Sequence, residues 1–284
     1  MKGTSSPSST RCSLALGIDL GRTWLRACLA DGQGRILGRC RIPAVPWPRL
    51  PEVLPLLRRR LKFRRLSRLS LGSPALWKPS SLAAARRLLR PWAAQVTAYS
   101  DVELAHAAAF GGGPGVLIAA GTGSIAFARD TRGRRRRAGG WGQLLGDEGS
   151  GFWIGRAALR DAVLRRLLRL GTPALAPTPE NVRAVARLAP RVLRLARREP
   201  RARRVRDEAV RHLADLTLEA GRGLAWGRKI PVSCWGGVFR DRALRAGWRL
   251  ALRRVDKRLT VCEPRFTAQE AAAMLDIDRA SPRG

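Results

Sequence analysis

Histidine and paired cysteine are nearly missing from the sequence, which limits the chemistry that it can support. The chain has two His, His106 and His212, and five scattered Cys at positions 12, 28, 40, 234 and 262 without a C-x-x-C pair. Structural zinc and iron–sulfur clusters need ligands at short spacing. The sequence therefore argues against both kinds of metal site and against a histidine-based triad. It predicts free thiols of the kind found in cytoplasmic proteins.

Long hydrophobic runs are also missing. The longest apolar segments, such as Val116 to Ala120, have the length of a strand and fall far short of a membrane helix of ~20 residues. The first eleven residues are small and polar, and no apolar signal segment follows them. We therefore predict a disordered tail at residues 1–11, a cytoplasmic location and no membrane partner.

Acidic residues are scarce, with 21 Asp and Glu against 55 Lys and Arg, which gives a net charge of +34 at pH 7. Such an excess favours contact with polyanions, because bound cations release counterions from nucleic acid. The basic residues are spread along the whole chain, however, and the runs at 134–137 and 201–206 lack an aromatic stacking platform. The pattern predicts salt-dependent attraction to polyanions but no specific nucleic-acid function.

Apolar residues make up 45% of the chain, enough for a sizeable core, and one arrangement of predicted strands occurs twice. Each copy is a strand, a glycine turn, a strand, a hairpin turn and a strand. The strands are 14–18, 24–30 and 35–41 in the first copy, and 116–120, 124–129 and 134–138 in the second. The repeat predicts two related halves, each presenting a Gly-rich turn.

The rest of the chain alternates helices with strands, so that the predicted fold class is α/β. Helices are predicted at 80–92, 102–110, 152–170, 181–198, 205–225, 241–253 and 268–276, and strands at 95–99, 230–235 and 259–262. The four prolines between 43 and 51 predict an irregular loop.

Three glycine turns directly follow apolar strands: Gly21, Gly121-Thr122-Gly123 and Gly236-Gly237. Glycine lets the backbone N–H groups approach a phosphate closely, and the hydroxyls of Thr23 and Thr122 can donate to phosphate oxygens. Any one of these turns is compatible with a purely structural role. Three of them, two inside the repeat, indicate a nucleotide site.

Two carboxylates end predicted strands of the first half. Asp19 stands where a carboxylate can hold a hydrated Mg²⁺ beside phosphates. Asp101 follows the strand at 95–99 and opens a predicted helix, so that it can accept the proton of an attacking hydroxyl. The alternative for Asp101 is a helix N-cap.

The segment 139–151 is the most unusual one, since it combines many glycines with Trp141 and the adjacent carboxylates Asp147 and Glu148. An aromatic face and hydrogen-bonding carboxylates are what a sugar site would use. The alternative is that Trp141 fills the core and that Asp147 caps the next helix.

The segments L-G-I-D-L-G-R-T-W-L-R-A, A-A-G-T-G-S-I-A-F-A and G-G-W-G-Q-L-L-G-D-E-G-S-G-F-W-I-G together resemble the BadF/BadG/BcrA/BcrD-type ATPase family. The chain is most similar to its N-acetylglucosamine kinase branch, within the actin/hexokinase/Hsp70 superfamily. This resemblance implies two ribonuclease-H-like (actin-like ATPase) domains around a nucleotide cleft. We place them at 12–108 and 109–284, with the last helix, about 268–280, packing back on the first domain.

The resemblance also implies roles for individual residues. It implies phosphorylation of a sugar hydroxyl by ATP, at C6 of an amino sugar such as N-acetylglucosamine, with Asp101 as the base and Asp19 at Mg²⁺. The implied ATP contacts are Asp19, Gly21, Thr23, Gly121, Thr122, Gly123, Gly236 and Gly237. We also predict an ATP contact from Arg22, which lies between Gly21 and Thr23. The implied sugar contacts are Gly140, Trp141, Asp147 and Glu148. A homodimer is the expected assembly.

Three departures from the family pattern leave an alternative open. Arg22 replaces a small residue, and the loop at 44–48 (A-V-P-W-P) lacks the Asn with which the sugar kinases contact their substrate. The last helix reads Q-E-A-A at 269–272, where the family usually has Gly-Ala. A nucleotide-binding ATPase or sensor of the same fold, without efficient sugar phosphorylation, is therefore the alternative. The presence of Asp101 favours the enzyme, and the lack of a Cys pair excludes the branch that binds an iron–sulfur cluster.

Overall fold

Two five-stranded mixed sheets form the framework of the protein. The structure is a computed structural model that describes residues 13–21, 23–171 and 178–275. It divides into two units: the chain up to Leu104 with a segment that begins at Phe266, and Ala105–Arg265. The predicted tail at 1–11, Arg22, and the part of the last predicted helix beyond residue 275 lie outside the described residues.

The first sheet has the order β3-β2-β1-β4-β5. Its strands are β1 (Ala15–Leu20), β2 (Trp24–Ala30), β3 (Ile36–Pro43), β4 (Leu66–Ser73) and β5 (Ala93–Ser100). β1, β2 and β3 form an antiparallel meander, whereas β1, β4 and β5 run parallel. The apolar run of β1 is buried almost throughout, as expected for a strand whose two faces are both covered.

The second sheet repeats this topology, with the order β10-β9-β6-β7-β8. Its strands are β6 (Gly115–Ala120), β7 (Ser124–Arg129), β8 (Arg135–Gly139), β9 (Ile230–Trp235) and β10 (Leu259–Val261). Again the first three strands are antiparallel, and the crossover strands β9 and β10 run parallel to β6. The internal repeat predicted from the sequence is confirmed.

The first unit contains α1 (Leu50–Leu61) and α2 (Pro79–Leu89), and α3 (Asp101–Phe110) begins within it. The predicted proline loop is wrong at its end, because α1 begins at Leu50 with Pro51 in its first turn. Proline is tolerated there because the first N–H groups of a helix have no intrahelical partner. Neither α1 nor β4, which follows it, was predicted from the sequence.

The second unit contains α4 (Gly151–Arg160), α5 (Ala162–Leu167), α6 (Pro179–Ala186), α7 (Ala189–Leu195), α8 (Pro200–Gly221) and α9 (Arg242–Val255). Two single helices predicted from the sequence are each two helices in the structure, α4 with α5 and α6 with α7. The helix predicted at 152–170 is interrupted at Asp161, whose carboxylate accepts hydrogen bonds from the N–H groups of Val163 and Leu164 and starts α5. The helix predicted at 181–198 is divided before Pro190, which has no N–H for a continuing helix.

The last helix, α10 (Ala268–Met274), packs on β1, β2 and β4 of the first unit. Gly17 of β1 makes this contact possible, since a Cβ at that position would overlap the backbone of Gln269 and Ala273. Arg39 of β3 adds an ion pair to Glu270, with an N–O distance of 2.6 Å. Across the described ranges, no helix has both the length and the apolar character needed to span a membrane.

We predict that Gly17→Ala destabilises the protein by about 3 kcal/mol, because the new methyl group meets backbone atoms that cannot move aside cheaply. Urea denaturation should show a lower midpoint with an unchanged slope. Gly227→Ala is the control, since a Cβ there has no atom within 4 Å. Equal midpoints for the two variants would contradict the close packing of α10 on β1.

His106 is a buried histidine of α3 that lies outside the candidate site. Its Nε2–H donates to the carbonyl of Gly115 over 3.0 Å, and its ring contacts those of Phe110 and Phe127. Burial lowers the pKa of His106 to about 4, and the positive charge of Arg129 acts in the same direction. The imidazole is therefore neutral in the folded protein at neutral pH.

We predict that this histidine makes the protein less stable as the pH falls from about 6.5 to about 4. In that window the unfolded chain binds a proton that the folded chain does not. The free energy of unfolding therefore decreases as the pH falls, by on the order of 3 kcal/mol in total. Urea titrations of the wild type and of His106→Gln across the window would measure the difference. Identical pH dependence in the two proteins would refute the assignment.

Candidate active site

Asp19 lies near the carboxyl end of β1, opposite Arg26 of β2. Arg26 Nη1 donates to Asp19 Oδ2 over 3.2 Å, and the carboxylate side chain is 16% exposed. Burial raises the pKa of Asp19 above its usual value, and the charge of Arg26 and its hydrogen bond counteract this rise. The result is a carboxylate that is held in place and still reaches the surface.

The turn after β1 connects Asp19 to the second strand. The N–H of Gly21 donates to the carbonyl of Trp24 over 3.0 Å, which closes the turn. Thr23 is exposed, and its carbonyl accepts from the N–H of Ala44. Arg22, between them, lies outside the described residues.

Asp101 lies at the same edge of the first sheet as Asp19. In the parallel register, Asp19 pairs with Gly72 and Gly72 with Tyr99, two residues before Asp101. With strands about 4.8 Å apart, the Cα atoms of Asp19 and Tyr99 are separated by roughly 10 Å. A Cβ at Gly72 would overlap the side chain of Leu104, so this glycine lets α3 lie close to β4.

Ser100, rather than Asp101, caps α3. The Ser100 Oγ accepts from the N–H of Glu103, and the Glu103 carboxylate accepts from the Ser100 N–H over 3.1 Å, as in a capping box. Asp101 is the first residue of α3, and its Oδ1 accepts a local bond of 2.9 Å from the adjacent Val102 N–H. The alternative that Asp101 serves as the N-cap is therefore wrong. The S-x-x-E pattern of this capping box, from Ser100 to Glu103, was readable in the sequence.

The Gly121-Thr122-Gly123 turn joins β6 to β7 in the second unit. The N–H of Gly121 donates to the carbonyl of Gly123 over 2.9 Å. The carbonyls of Gly121 and Thr122 accept from the N–H groups of Gly151 and Phe152, at the start of α4. A Cβ at Gly121 would have no atom within 4 Å, so one side of the turn is open to a ligand.

Gly236 and Gly237 lie beside this turn, because β9 runs parallel to β6 and ends at the same edge. Gly236 has a φ of 103° and approaches the carbonyl of Ala120 so closely that a Cβ would overlap it. A Cβ at Gly237, which begins a short 3-10 helix, would meet nothing within 4 Å. The parallel pairing thus brings two of the predicted glycine turns together.

Asp147 supports the Gly121–Gly123 turn from the inside of the second unit. Its Oδ1 accepts from the N–H of Ser124 over 3.0 Å, and its side chain fills the space where Gly123 has no Cβ. The hydroxyl of Ser124 donates to the carbonyl of Glu148 over 2.7 Å. Asp147 has a φ of 65° and is 9% exposed. This placement under the Gly121–Gly123 turn was not predicted from the sequence.

Both structural alternatives for the segment 139–151 are wrong. Trp141 does not fill the core, since it is 63% exposed and its ring lies 4.8 Å from the guanidinium of Arg137. Asp147 does not cap α4, because the Ser150 Oγ accepts from the N–H of Trp153 over 3.2 Å and makes the cap. Gly140 donates to the carbonyl of Ser124, which ties the segment to the edge of β7.

The described residues contain no group of three or more His, Cys, Asp and Glu arranged to hold a metal ion. A dedicated protein cage for a cation is therefore not found in residues 13–21, 23–171 and 178–275. Mg²⁺ does not require one, because it retains several waters and commonly binds through one or two carboxylates plus phosphate oxygens. Asp19 fits that mode of binding.

Comparisons with known proteins identify one matching family and three similar proteins. The model of the BadF/BadG/BcrA/BcrD ATPase family matches residues 82–264. The crystal structure of a proposed N-acetylglucosamine kinase from Chromobacterium violaceum superposes with a TM-score of 0.69 at 26% identity, covering 92% of this chain and 98% of that one.

Two sugar kinases match over shorter segments. An N-acetylmuramic acid/N-acetylglucosamine kinase from Clostridium acetobutylicum is 41% identical over 69 residues, 24% of this chain and 22% of that protein. An N-acetyl-D-glucosamine kinase from Dictyostelium discoideum is 52% identical over 46 residues, 16% of this chain and 14% of that protein. The matched segments therefore span less than a quarter of either relative.

We predict that Asp147→Ala weakens ATP binding about tenfold, because Ser124 N–H loses its acceptor and alanine is strained at positive φ. Asp147→Asn should retain most of the affinity, since asparagine tolerates this backbone conformation and offers a carbonyl oxygen. Isothermal titration with ATP measures both, and Glu148→Gln controls for charge loss in the same segment. Unchanged affinity in Asp147→Ala would show that the turn does not depend on this carboxylate.

Proposed function

Because the chain belongs to the BadF/BadG/BcrA/BcrD ATPase family, we propose that it is an ATP-dependent kinase that phosphorylates an amino sugar such as N-acetylglucosamine. One observation carries the proposal. Asp19, Gly21 and Asp101 share the carboxyl edge of the first sheet, and two further glycine turns share the corresponding edge of the second. Phosphoryl transfer needs such positioned backbone donors and carboxylates more than it needs covalent chemistry.

The phosphates of ATP would contact the glycine turns. The open sides of Gly121 and Gly237 support this role, since no atom lies within 4 Å of a Cβ at either position. The exposed hydroxyl of Thr23 is available to donate to a phosphate oxygen. Arg22 would add a charge-assisted contact from the same turn as Gly21.

Asp19 would hold Mg²⁺ through its carboxylate oxygens. Its hydrogen bond to Arg26 fixes the orientation of the carboxylate and leaves the second oxygen for a metal-bound water or the ion itself. The ion, when bound, neutralises charge on the phosphates. Arg26 therefore acts as a positioning residue in this proposal.

Asp101 would accept the proton of the attacking sugar hydroxyl, which we propose is the primary one at C6. As the proton moves to the carboxylate, the hydroxyl oxygen forms a bond to the γ-phosphorus, and the bond between that phosphorus and the bridging oxygen of ADP breaks. The capping box of Ser100 and Glu103 supports this role, because it fixes the helix start without using Asp101.

The sugar would be contacted by the segment around Trp141. An aromatic ring that is 63% exposed offers an apolar face, and Gly140 and Glu148 lie in the same segment. Asp147 is buried under the Gly121–Gly123 turn, so we assign it an indirect role in nucleotide binding. In the loop that lacks the family's Asn, Val45 and Trp47 pack against the core of the first unit. This loop therefore offers the acceptor no amide contact.

A cytoplasmic location and a homodimer remain predictions. The four described cysteines, Cys28, Cys40, Cys234 and Cys262, are free thiols, which supports a reducing compartment.

We predict that Asp101→Asn lowers turnover about 10²–10⁴-fold while ATP binding is retained, because the amide cannot accept the hydroxyl proton. Glu103→Gln is the matched control, since it also removes one carboxylate from the first turn of α3 but keeps the capping box. ADP release with Mg²⁺ would be measured against N-acetylglucosamine, glucosamine, glucose, N-acetylmannosamine and no sugar.

Turnover that depends on one sugar and is lost only in Asp101→Asn would support the kinase and identify its acceptor. If Asp101→Asn lost ATP binding in a folded protein, the assignment of this residue as the base would be wrong. ATP binding without turnover on any sugar would favour the alternative, a nucleotide-dependent sensor of the same fold.

A further inference from the structure

A surface pocket of about 450 Å³ lies in the first unit, away from the candidate active site. It is lined by Pro55, Arg58, Arg59, Lys62, Phe63, Arg64 and Trp92. These residues come from the end of α1, the connection to β4 and the connection to β5. Four of the seven are cationic and two are aromatic, so the pocket combines positive charge with aromatic rings.

The sheet topology separates this pocket from Asp19 and Asp101. The pocket residues precede β4 and β5, and therefore lie at the amino ends of these parallel strands. The candidate active-site residues lie at the carboxyl ends. At about 3.3 Å per residue, the eight residues of β5 span roughly 26 Å between the two edges. The pocket is thus a different site.

The chain segment that supplies most of the pocket carries charge of one sign. Between Glu52 and Asp101 the chain has eleven Lys and Arg and neither Asp nor Glu. Glu52 itself is paired with Arg49, at an N–O distance of 2.7 Å. Cations in the last turn of α1, such as Arg58 and Arg59, also stabilise the negative end of that helix. Helix stabilisation does not account for Arg64, which lies beyond the C-cap residue Lys62 and is exposed.

Trp92 gives the pocket an aromatic surface. It is half-buried and packs on one side against the core of the first unit, and Phe63 is buried nearby. A basic groove that includes an aromatic ring can hold a phosphate backbone while a base stacks on the ring. The fold creates this combination, because Trp92 lies 30 residues beyond Lys62 in the sequence.

We propose that this pocket binds single-stranded nucleic acid without sequence preference. The backbone phosphates contact Arg58, Arg59, Lys62 and Arg64, and one unpaired base stacks on Trp92. Trp92 distinguishes this ligand from a bare polyanion, and the need for an unstacked base distinguishes it from a duplex. Contacts to phosphate and to the face of a base carry no sequence information, so none is expected in the binding.

The test compares two variants that remove equal charge. Arg58→Gln/Arg59→Gln/Lys62→Gln removes three exposed cations from the pocket, two of them in the last turn of α1. Arg249→Gln/Arg253→Gln/Arg254→Gln removes three exposed cations from α9, two of them in its last turn. Fluorescence anisotropy of a labelled oligo-dT of about 20 nucleotides, longer than the ~4–16 nucleotides of known single-strand sites, gives the affinities. Each protein is titrated at several salt concentrations.

We expect the pocket variant to bind about tenfold more weakly and its salt slope to decrease by about 2, since each phosphate contact on a single strand contributes about 0.7. The α9 variant should change little. Equal losses in the two variants would overturn the proposal, because they would reflect net charge alone. Sugar-dependent ADP release should be unchanged in the pocket variant, and this readout separates the present proposal from the proposed kinase activity.

Substitutions of Trp92 test the stacking contact separately from the phosphate contacts. Trp92→Leu should weaken oligo-dT binding about tenfold with an unchanged salt slope, whereas Trp92→Phe retains a stacking ring and most of the affinity. Thermal melting confirms that both variants are folded. If inorganic polyphosphate or a duplex of the same length bound as tightly as oligo-dT, and folded Trp92→Leu bound like the wild type, the pocket would be a general anion site and the proposal would be wrong.

Discussion

The parallel pairing of the central strands is the constraint on which the arrangement of the candidate site depends. In each sheet, the first strand of the antiparallel meander pairs in parallel with one crossover strand, which pairs in parallel with the next. β1 pairs with β4 and β4 with β5, and β6 pairs with β9 and β9 with β10. Parallel strands end at the same edge of a sheet, so residues that follow them meet there whatever their separation in the chain. For this reason Asp19 and Asp101 lie at the carboxyl edge of the first sheet, and Gly121 and Gly236 lie at the carboxyl edge of the second. The basic pocket lies at the opposite edge of the first sheet, at the amino ends of β4 and β5.

Glycine makes close approach possible at several of these points. At Gly72 and Gly17 the missing Cβ admits a helix against the first sheet, α3 in one case and α10 in the other. At Gly123 it admits the carboxylate of Asp147, which in turn accepts a hydrogen bond from Ser124. The conspicuous glycines of the sequence therefore have two physical roles. Some leave a turn open to a ligand, and others allow the elements behind the turn to support it.

The few acidic residues of this strongly basic chain are concentrated in local structural roles. Asp161 and Asp241 accept backbone hydrogen bonds at the starts of helices α5 and α9, and Glu103 completes a capping box at α3. Asp130 accepts from the N–H groups of Arg132 and Arg134 in the second hairpin turn. Asp130 and Asp161 also pair with Arg134 and Arg201, but 55 Lys and Arg against 21 Asp and Glu leave most of the basic side chains without an opposite charge. Such a surface attracts anions, and its effect depends on salt.

The sequence alone was sufficient for the strands of the repeat, the glycine turns and the family. Strands such as β2 and β9 have apolar runs bounded by turn residues, and these signals are local. It was insufficient where local signals conflict with tertiary context. Prolines suggested a loop where α1 begins, and helical spacing continued through Asp161, where a side-chain cap restarts the helix. The roles of Asp147 and Trp92 depend on neighbours distant in sequence, Ser124 for the first and the end of α1 for the second.

Composition and periodicity determine which elements form, because these depend on nearby residues. Only the tertiary structure decides which side chains meet, because contacts between distant residues depend on strand order and packing.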